Sequence, residues 1–235
     1  MTTQEIESTI DIPLEDATTA VRASEAQFIY DFVQQLENPA TLEIGFGYGR
    51  SACYIMAATG REHSVMDPFQ NQYDRQALAN VKKCGLDSQL HYFEDYSHNV
   101  LPQMLSEGKK FDFIFIDGDH KFDGIFVDFY YSDKLLNDGG FVLFHDTWMR
   151  STQLAMAFID KNRKDYRKMV INQDNFGLYQ KIGNDERNGM HFREFYTTKR
   201  IFKHALIQWI WGPKKGPLKS LVLALKEKIR PTKDR

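Results

Sequence analysis

Glu43-Ile44-Gly45-Phe46-Gly47-Tyr48-Gly49-Arg50-Ser51 is the stretch on which the fold turns. The residues Thr41-Leu42-Glu43-Ile44 that lead into it are short-run and β-compatible, and residues 51–58 beyond it have helix-forming composition. A strand must therefore bend sharply here and feed a helix. Alternating glycines permit the dihedrals of such a bend and remove the Cβ atoms that would hold a ligand away from the backbone. The helix start behind them offers unpaired N–H groups, with the Ser51 hydroxyl beside them, to a carboxylate or phosphate. A glycine bend alone is also a common tight turn, so its surroundings decide.

Outward from the bend, residues 63–66, 90–93, 111–116 and 141–144 read as strands, and 72–84, 101–106, 122–136 and 151–161 as helices. Upstream, Ser24 with Gln27 resembles a capping box, and Phe28, Ile29, Phe32, Val33 and Leu36 form a helical apolar stripe that Pro39 ends. Residues 169–172 and 176–181 flank the polar turn Gln173-Asp174-Asn175, a terminal hairpin that would add an antiparallel strand. This alternation implies an α/β, doubly wound, mostly parallel sheet. Residues 1–23 lack periodicity and read as a flexible arm, 24–184 as the ligand-binding body, and 185–235 as a basic helical appendage.

The chain of 235 residues, 42% apolar and 26% charged, has the make-up of an ordinary globular domain. No stretch approaches the roughly 18 consecutive apolar residues of a membrane span. Its polar, acidic first residues resemble neither a secretory nor a mitochondrial targeting segment, which makes the cytoplasm the expected location. Cys53 and Cys84 lie in no CxxC or Cys/His cluster, so neither a disulfide framework nor a thiolate zinc site is expected. The net charge of −2 divides unevenly: residues 190–235 carry +9 and the remainder −11.

Asp67 ends the second strand 20 residues beyond Gly47, where an acid can accept hydrogen bonds from both hydroxyls of a ribose. A nicotinamide-binding loop has the spacing GxGxxG, whereas this one is GxGxG. Glu43 also stands two residues before the first glycine, where an acid suits the cationic amino group of a methionine moiety better than a pyrophosphate. S-adenosylmethionine carries both that group and a ribose.

Five motifs extend this reading: LEIGFGYGRS (42–51), VMD (65–67), FEDYSHNVLP (93–102), FIDGDHK (115–121) and LLNDGGFVLFHD (135–146). In order and spacing the chain resembles class I S-adenosylmethionine-dependent methyltransferases over residues 24–182. It looks most like the small-molecule branch that includes catechol, caffeoyl-CoA and natural-product sugar O-methyltransferases. The resemblance implies a seven-stranded sheet with a reversed last strand. It places Glu43, Gly45, Phe46 and Gly47 around the methionine end, Ser51 at its carboxylate and Asp67 at the ribose. Asp95, Tyr96, Ser97 and His98 would border the adenine, with Asp95 standing where relatives often have glycine.

Asp117 and Asp119-His120 follow the fourth strand and His145-Asp146 the fifth, at the strand ends where open α/β sheets bind ligands. Carboxylates gathered there repel unless protonated or bridged by a cation. By resemblance, Asp117 and Asp146 match metal-ligand positions, with His145 or Thr147 as third donor for Mg²⁺, or for Ca²⁺ or Mn²⁺. Without an ion, the same acids would orient the cofactor. His120 occupies the place of a catalytic lysine and is a candidate general base, with Asp119 as its rival.

The function expected is O-methylation of a small hydroxylated molecule such as a sugar, polyketide or phenol. The alternatives are a non-catalytic S-adenosylmethionine-binding module recruited through its tail, and a nicotinamide oxidoreductase. Nucleic acid is disfavoured as acceptor, because the Asp/Asn-Pro-Pro-aromatic motif of base methylation is absent. In the tail, Leu218, Leu221, Val222, Leu225 and Ile229 share a helical face near Trp209 and Trp211. That stripe suits packing on the body or on a second subunit of a homo-oligomer, an anionic membrane surface, or RNA.

Overall fold

The computed structural model describes residues 1–17 and 20–195. Seven strands form one sheet: β1 (Thr41–Ile44), β2 (His63–Met66), β3 (Leu90–Phe93), β4 (Phe111–Ile116), β5 (Leu136–Phe144), β6 (Tyr166–Lys168) and β7 (Gly177–Lys181). Their order is β3-β2-β1-β4-β5-β7-β6. Strands β1 to β5 run parallel, and β7 is antiparallel to both β5 and β6. The doubly wound sheet with one reversed strand is therefore as expected. Strand order changes direction between β1 and β4, and the crevice outside their carboxyl ends is where such sheets take ligands.

Strand alternation divides the core in two. Leu42 and Ile44 of β1, Ile114 and Ile116 of β4, and Val142 and Phe144 of β5 face helices α5 (Ser97–Ser106), α6 (Phe122–Leu135) and α7 (Arg150–Asn162). Phe113 and Phe115 of β4, Val65 of β2 and Leu143 of β5 face α1 (Thr3–Thr9), α2 (Ala23–Val33), α3 (Arg50–Thr59) and α4 (Gln76–Lys83). Each fully buried side chain of this kind stabilises the fold by about 1.5–3 kcal/mol. Burial on both faces lets β4 read as an apolar run broken only by Asp112, while β1 carries the buried polar residues Thr41 and Glu43.

Several local expectations are corrected. Residues 3–9, read as part of a flexible arm, form α1, capped by Thr2 and Glu5 and anchored by the fully buried Ile6. The start of α2 is capped by Glu25, whose carboxylate accepts from Arg22 N–H at 2.8 Å, rather than by Ser24 and Gln27. Helix α5 begins at Ser97, four residues earlier than expected, and carries Pro102 inside it, held by buried Val100, Leu101 and Met104. The first hairpin strand lies at 166–168 instead of 169–172: Tyr166 packs against Phe129, whereas Val170 is fully exposed. Residues 185–193 join the same compact unit as the body, with Arg193 bridged by Asn162 and no helix formed. The apolar stripe of residues 218–229 lies outside the described residues. Among those described, no helix is long and apolar enough to cross a membrane.

Candidate active site

A cleft of about 1040 Å³ opens at the carboxyl ends of β1, β2 and β4. Its floor is the glycine bend, in which Gly45, Gly47 and Gly49 all adopt positive φ of +93°, +48° and +77°. Gly45 is the tightest point, because a Cβ there would sit 2.1 Å from the Asp117 carbonyl oxygen. Two hydrogen bonds lock this crossing, Gly45 N–H to Met66 O at 2.9 Å and Asp117 N–H to Ile44 O at 2.8 Å. The loops after β1 and β4 can therefore touch only through glycine.

Asp67 lies where expected, at the end of β2 on the cleft wall. Its Oδ2 accepts from Phe46 N–H at 2.9 Å and Gly47 N–H at 3.3 Å, and its Oδ1 from Phe69 N–H at 2.6 Å. The acid thus holds the bend in shape as well as facing the cleft. Glu43 is buried and accepts from the Ser51 hydroxyl. Its other oxygen pairs with His63 Nε2 at 3.0 Å, and His63 Nδ1 meets the Thr41 hydroxyl at 2.8 Å. Burial raises the Glu43 pKa, while His63 and Ser51 oppose that rise. Since the Ser51 hydroxyl is committed to Glu43, the N–H groups of the first turn of α3 are the donors left for a carboxylate.

At the other end of the cleft, Asp117 Oδ1 meets His145 Nδ1 at 2.8 Å, and His145 Nε2 meets Glu25 of α2 at 3.3 Å. Burial alone would lower the His145 pKa, but Asp117, Glu25 and Asp146 push it up to about 10. Asp146, at φ +52°, accepts from Trp148 Nε1 at 2.9 Å and Asn175 Nδ2 at 3.3 Å, and pairs with His120 Nε2 at 3.1 Å. Burial would raise its pKa, yet His120, His145 and these donors hold it at about 2. The Asp146 hydrogen bond in turn raises the His120 pKa against the effect of burial.

Both His145 nitrogens are engaged, Nδ1 by Asp117 and Nε2 by Glu25 and Asn175. Asp117, His120 and Asp146 can place one ligand atom each within 4.8 Å of one another. Two carboxylates and an imidazole fit a divalent cation, and the nitrogen favours Mn²⁺ over Mg²⁺, which prefers oxygen. The two candidate bases differ in their partners, His120 facing Asp146. Asp119 is drawn into the start of α6, accepting from Lys121 N–H at 3.0 Å and packing over Gly124.

On the side expected to border adenine, Tyr96 and Ser97 line the cleft, and Tyr96 meets Phe69 edge-on at 5.7 Å. Asp95 does not line it. Its Oδ1 accepts from Tyr96 N–H at 2.7 Å and Asn99 Nδ2 at 2.9 Å, tying down the start of α5. Sequence reading missed Glu25, Asn175 and Asp128, all buried or partly buried here. For Glu25 a signal existed: it shares the apolar stripe of α2 with Ile29 and Val33, four and eight residues on.

Residues 42–147 match a family model described as a methyltransferase domain. The fold is that of several solved structures. Cofactor-bound Rv0187 from MTB has a TM-score of 0.63 at 16% identity, covering 77% of this chain and 88% of its own. The O-methyltransferase TomG from Streptomyces achromogenes, involved in tomaymycin synthesis and solved with SAM (S-adenosylmethionine), has 0.62 at 19% identity over 70% and 82%. An O-methyltransferase from Bacillus cereus in complex with SAH (S-adenosylhomocysteine) has 0.58 at 16%, over 76% and 88%. No curated protein matches the chain.

Proposed function

We infer that this chain, a methyltransferase through the domain at residues 42–147, transfers the methyl group of S-adenosylmethionine to a hydroxyl oxygen of a small molecule. The observation that carries the reading is one cleft with the glycine bend and Asp67 on its walls and His120, paired to Asp146, at its mouth. The bend fits the cofactor because the glycines at 45 and 49 let the loop pack tightly against its protein neighbours, while at Gly47 nothing lies within 4 Å of where a Cβ would stand. The Bacillus and Streptomyces neighbours are O-methyltransferases by name, which supports oxygen as the acceptor atom.

When bound, S-adenosylmethionine supplies an electrophilic methyl on a sulfonium for in-line attack. The chain's own residues do the rest. First-turn N–H groups of α3 hold the amino-acid carboxylate, and Asp67 grips the ribose hydroxyls. With Nε2 paired to Asp146, His120 Nδ1 accepts the proton of the acceptor hydroxyl, and Asp146 orients the ring and stabilises the imidazolium that forms. Fixing the acceptor oxygen against the methyl supplies the entropic part of the acceleration. A cation held by Asp117, His120 and Asp146 would lower the hydroxyl pKa and fix its direction. It would also draw on a His120 nitrogen, so that metal binding and proton transfer compete for the same ring.

The test is transfer of labelled methyl from S-adenosylmethionine to hydroxylated compounds in extracts, with products identified by mass spectrometry. His120→Ala is expected to lower the rate by roughly 10²- to 10⁴-fold with cofactor affinity retained. Rates that EDTA removes and Mn²⁺ restores assign His120 to the metal; rates unmoved by EDTA assign it to the base. Tight cofactor binding with no transfer to any compound would make the chain a binding module.

A further inference from the structure

Asp128 is buried on α6 together with Ile125, Phe129 and Ser132. Its relative exposure is 1%, yet it lines the cleft. Neither carboxylate oxygen meets a donor in hydrogen-bonding geometry among the described residues, although the Ser97 hydroxyl lies near enough to act on its charge. A carboxylate removed from water without a partner is costly, and its persistence needs a reason beyond packing. Burial raises its pKa to about 6, with the Ser97 hydroxyl opposing and Asp119 adding to the rise. Its Oδ2 lies beside Gly118 on the cleft wall, where an added Cβ would come within 3.5 Å of it.

Its place in the cleft says what it faces. The glycine bend takes the amino-acid end of the cofactor, and Asp67 the ribose. The remaining wall, with Phe69 and Tyr96 edge-on to each other, Ser97 at the start of α5 and Val127 with Asp128 on α6, is left for the base. The two aromatic rings give a planar base an apolar flank. A purine edge needs polar partners, and the acid expected there, Asp95, is spent on the α5 terminus.

We propose that Asp128 reads the base of the cofactor, its carboxylate accepting a hydrogen bond from the exocyclic amine of adenine. This rests on the cofactor assignment above. Asp128 is then the residue that separates an adenine nucleoside from one bearing a carbonyl at the same position. A carboxylate accepts from an amine and repels a carbonyl oxygen; an amide at residue 128 can do either.

The experiment is calorimetric binding of S-adenosylhomocysteine and S-inosylhomocysteine to the full chain, its Asp128→Asn variant and its Asp128→Ser variant. The wild type is expected to prefer the adenine ligand by roughly 10- to 100-fold, the span of a charge-assisted hydrogen bond. Asp128→Asn should bring that ratio close to one, by weakening the adenine ligand as well as improving the inosine ligand. A carboxylate that merely capped α5 would leave the ratio untouched. An unchanged ratio in either folded variant overturns the role of Asp128 alone. Failure of the wild type to bind S-adenosylhomocysteine overturns the cofactor reading and this proposal with it.

Discussion

Gly45 and Gly47 are two residues apart, both at positive φ, and the structure assigns them different costs. An alanine at 45 would drive its Cβ into the Asp117 carbonyl at 2.1 Å, a backbone atom fixed by the β1–β4 pairing. At 47 nothing lies within 4 Å, so only the left-handed backbone at φ +48° resists a side chain. Gly47→Ala should therefore destabilise by about 1–2 kcal/mol. Gly45→Ala should cost at least about 4 kcal/mol, in the range reserved for severe steric conflict. Urea unfolding of the two variants reads this directly, and equal costs would mean the loop crossing is looser than its hydrogen bonds imply. The glycines were legible as a bend, because their spacing is local. Which one touches the β4 loop was not, since that contact joins residues 72 positions apart. His145 illustrates the same divide: its neighbour Asp146 was visible in sequence, whereas Glu25, the carboxylate on its other nitrogen, is 120 residues away.

Elements were legible where local pattern and tertiary demand agree. Strands β1, β2, β3 and β4 fall on the residues expected because each is a short β-compatible run, with β1, β2 and β4 largely buried and β3 only partly so at the sheet edge. The hairpin start was misplaced because residues 169–171 are apolar by composition, while burial of Tyr166 against Phe129 sets the register. Helix α1 was missed because a seven-residue helix has too few turns to show a stripe, and one buried residue, Ile6, carries its docking. Glu7 of α1 reinforces it by pairing with Arg50 at 2.9 Å and accepting from Tyr54 at 3.0 Å, both on α3. Helix α1 thus braces the helix whose first turn faces the cofactor. Ile6→Ala is expected to lower stability by about 2–5 kcal/mol, as for other buried aliphatic truncations. A loss below about 0.5 kcal/mol in equilibrium denaturation would place Ile6 at the surface in solution.

At the scale of the whole molecule, buried carboxyls pull the pH dependence of stability in opposite directions. Glu25 has its pKa lowered to about 2: burial would raise it, but His145 and Arg22 prevail. Its contribution is present above about 4.5 and fades as pH falls towards 2. Asp128 behaves inversely, its pKa being raised from 3.8 to about 6. An acid that holds its proton more tightly when folded favours folding as pH falls from about 6 to about 4, and its ionised form opposes folding above that window. A shift of this size corresponds to about 3 kcal/mol, an upper bound for so buried a group. Asp128→Asn removes the ionisation and keeps the shape. The variant should therefore be more stable than the wild type at pH 8, by up to about 3 kcal/mol, and the two should converge near pH 4. Unfolding curves across pH 4–8 without ligand would show it, and a variant weaker at every pH would mean that the carboxylate carries a structural hydrogen bond. Saturating S-adenosylhomocysteine works the other way. At 100 times its dissociation constant a ligand stabilises by about 2.7 kcal/mol, and at one fixed concentration the variant that binds it less tightly gains less. The stability advantage of Asp128→Asn at pH 8 should accordingly shrink as S-adenosylhomocysteine is added, which is the signature of a charge kept at a folding cost because the cofactor uses it.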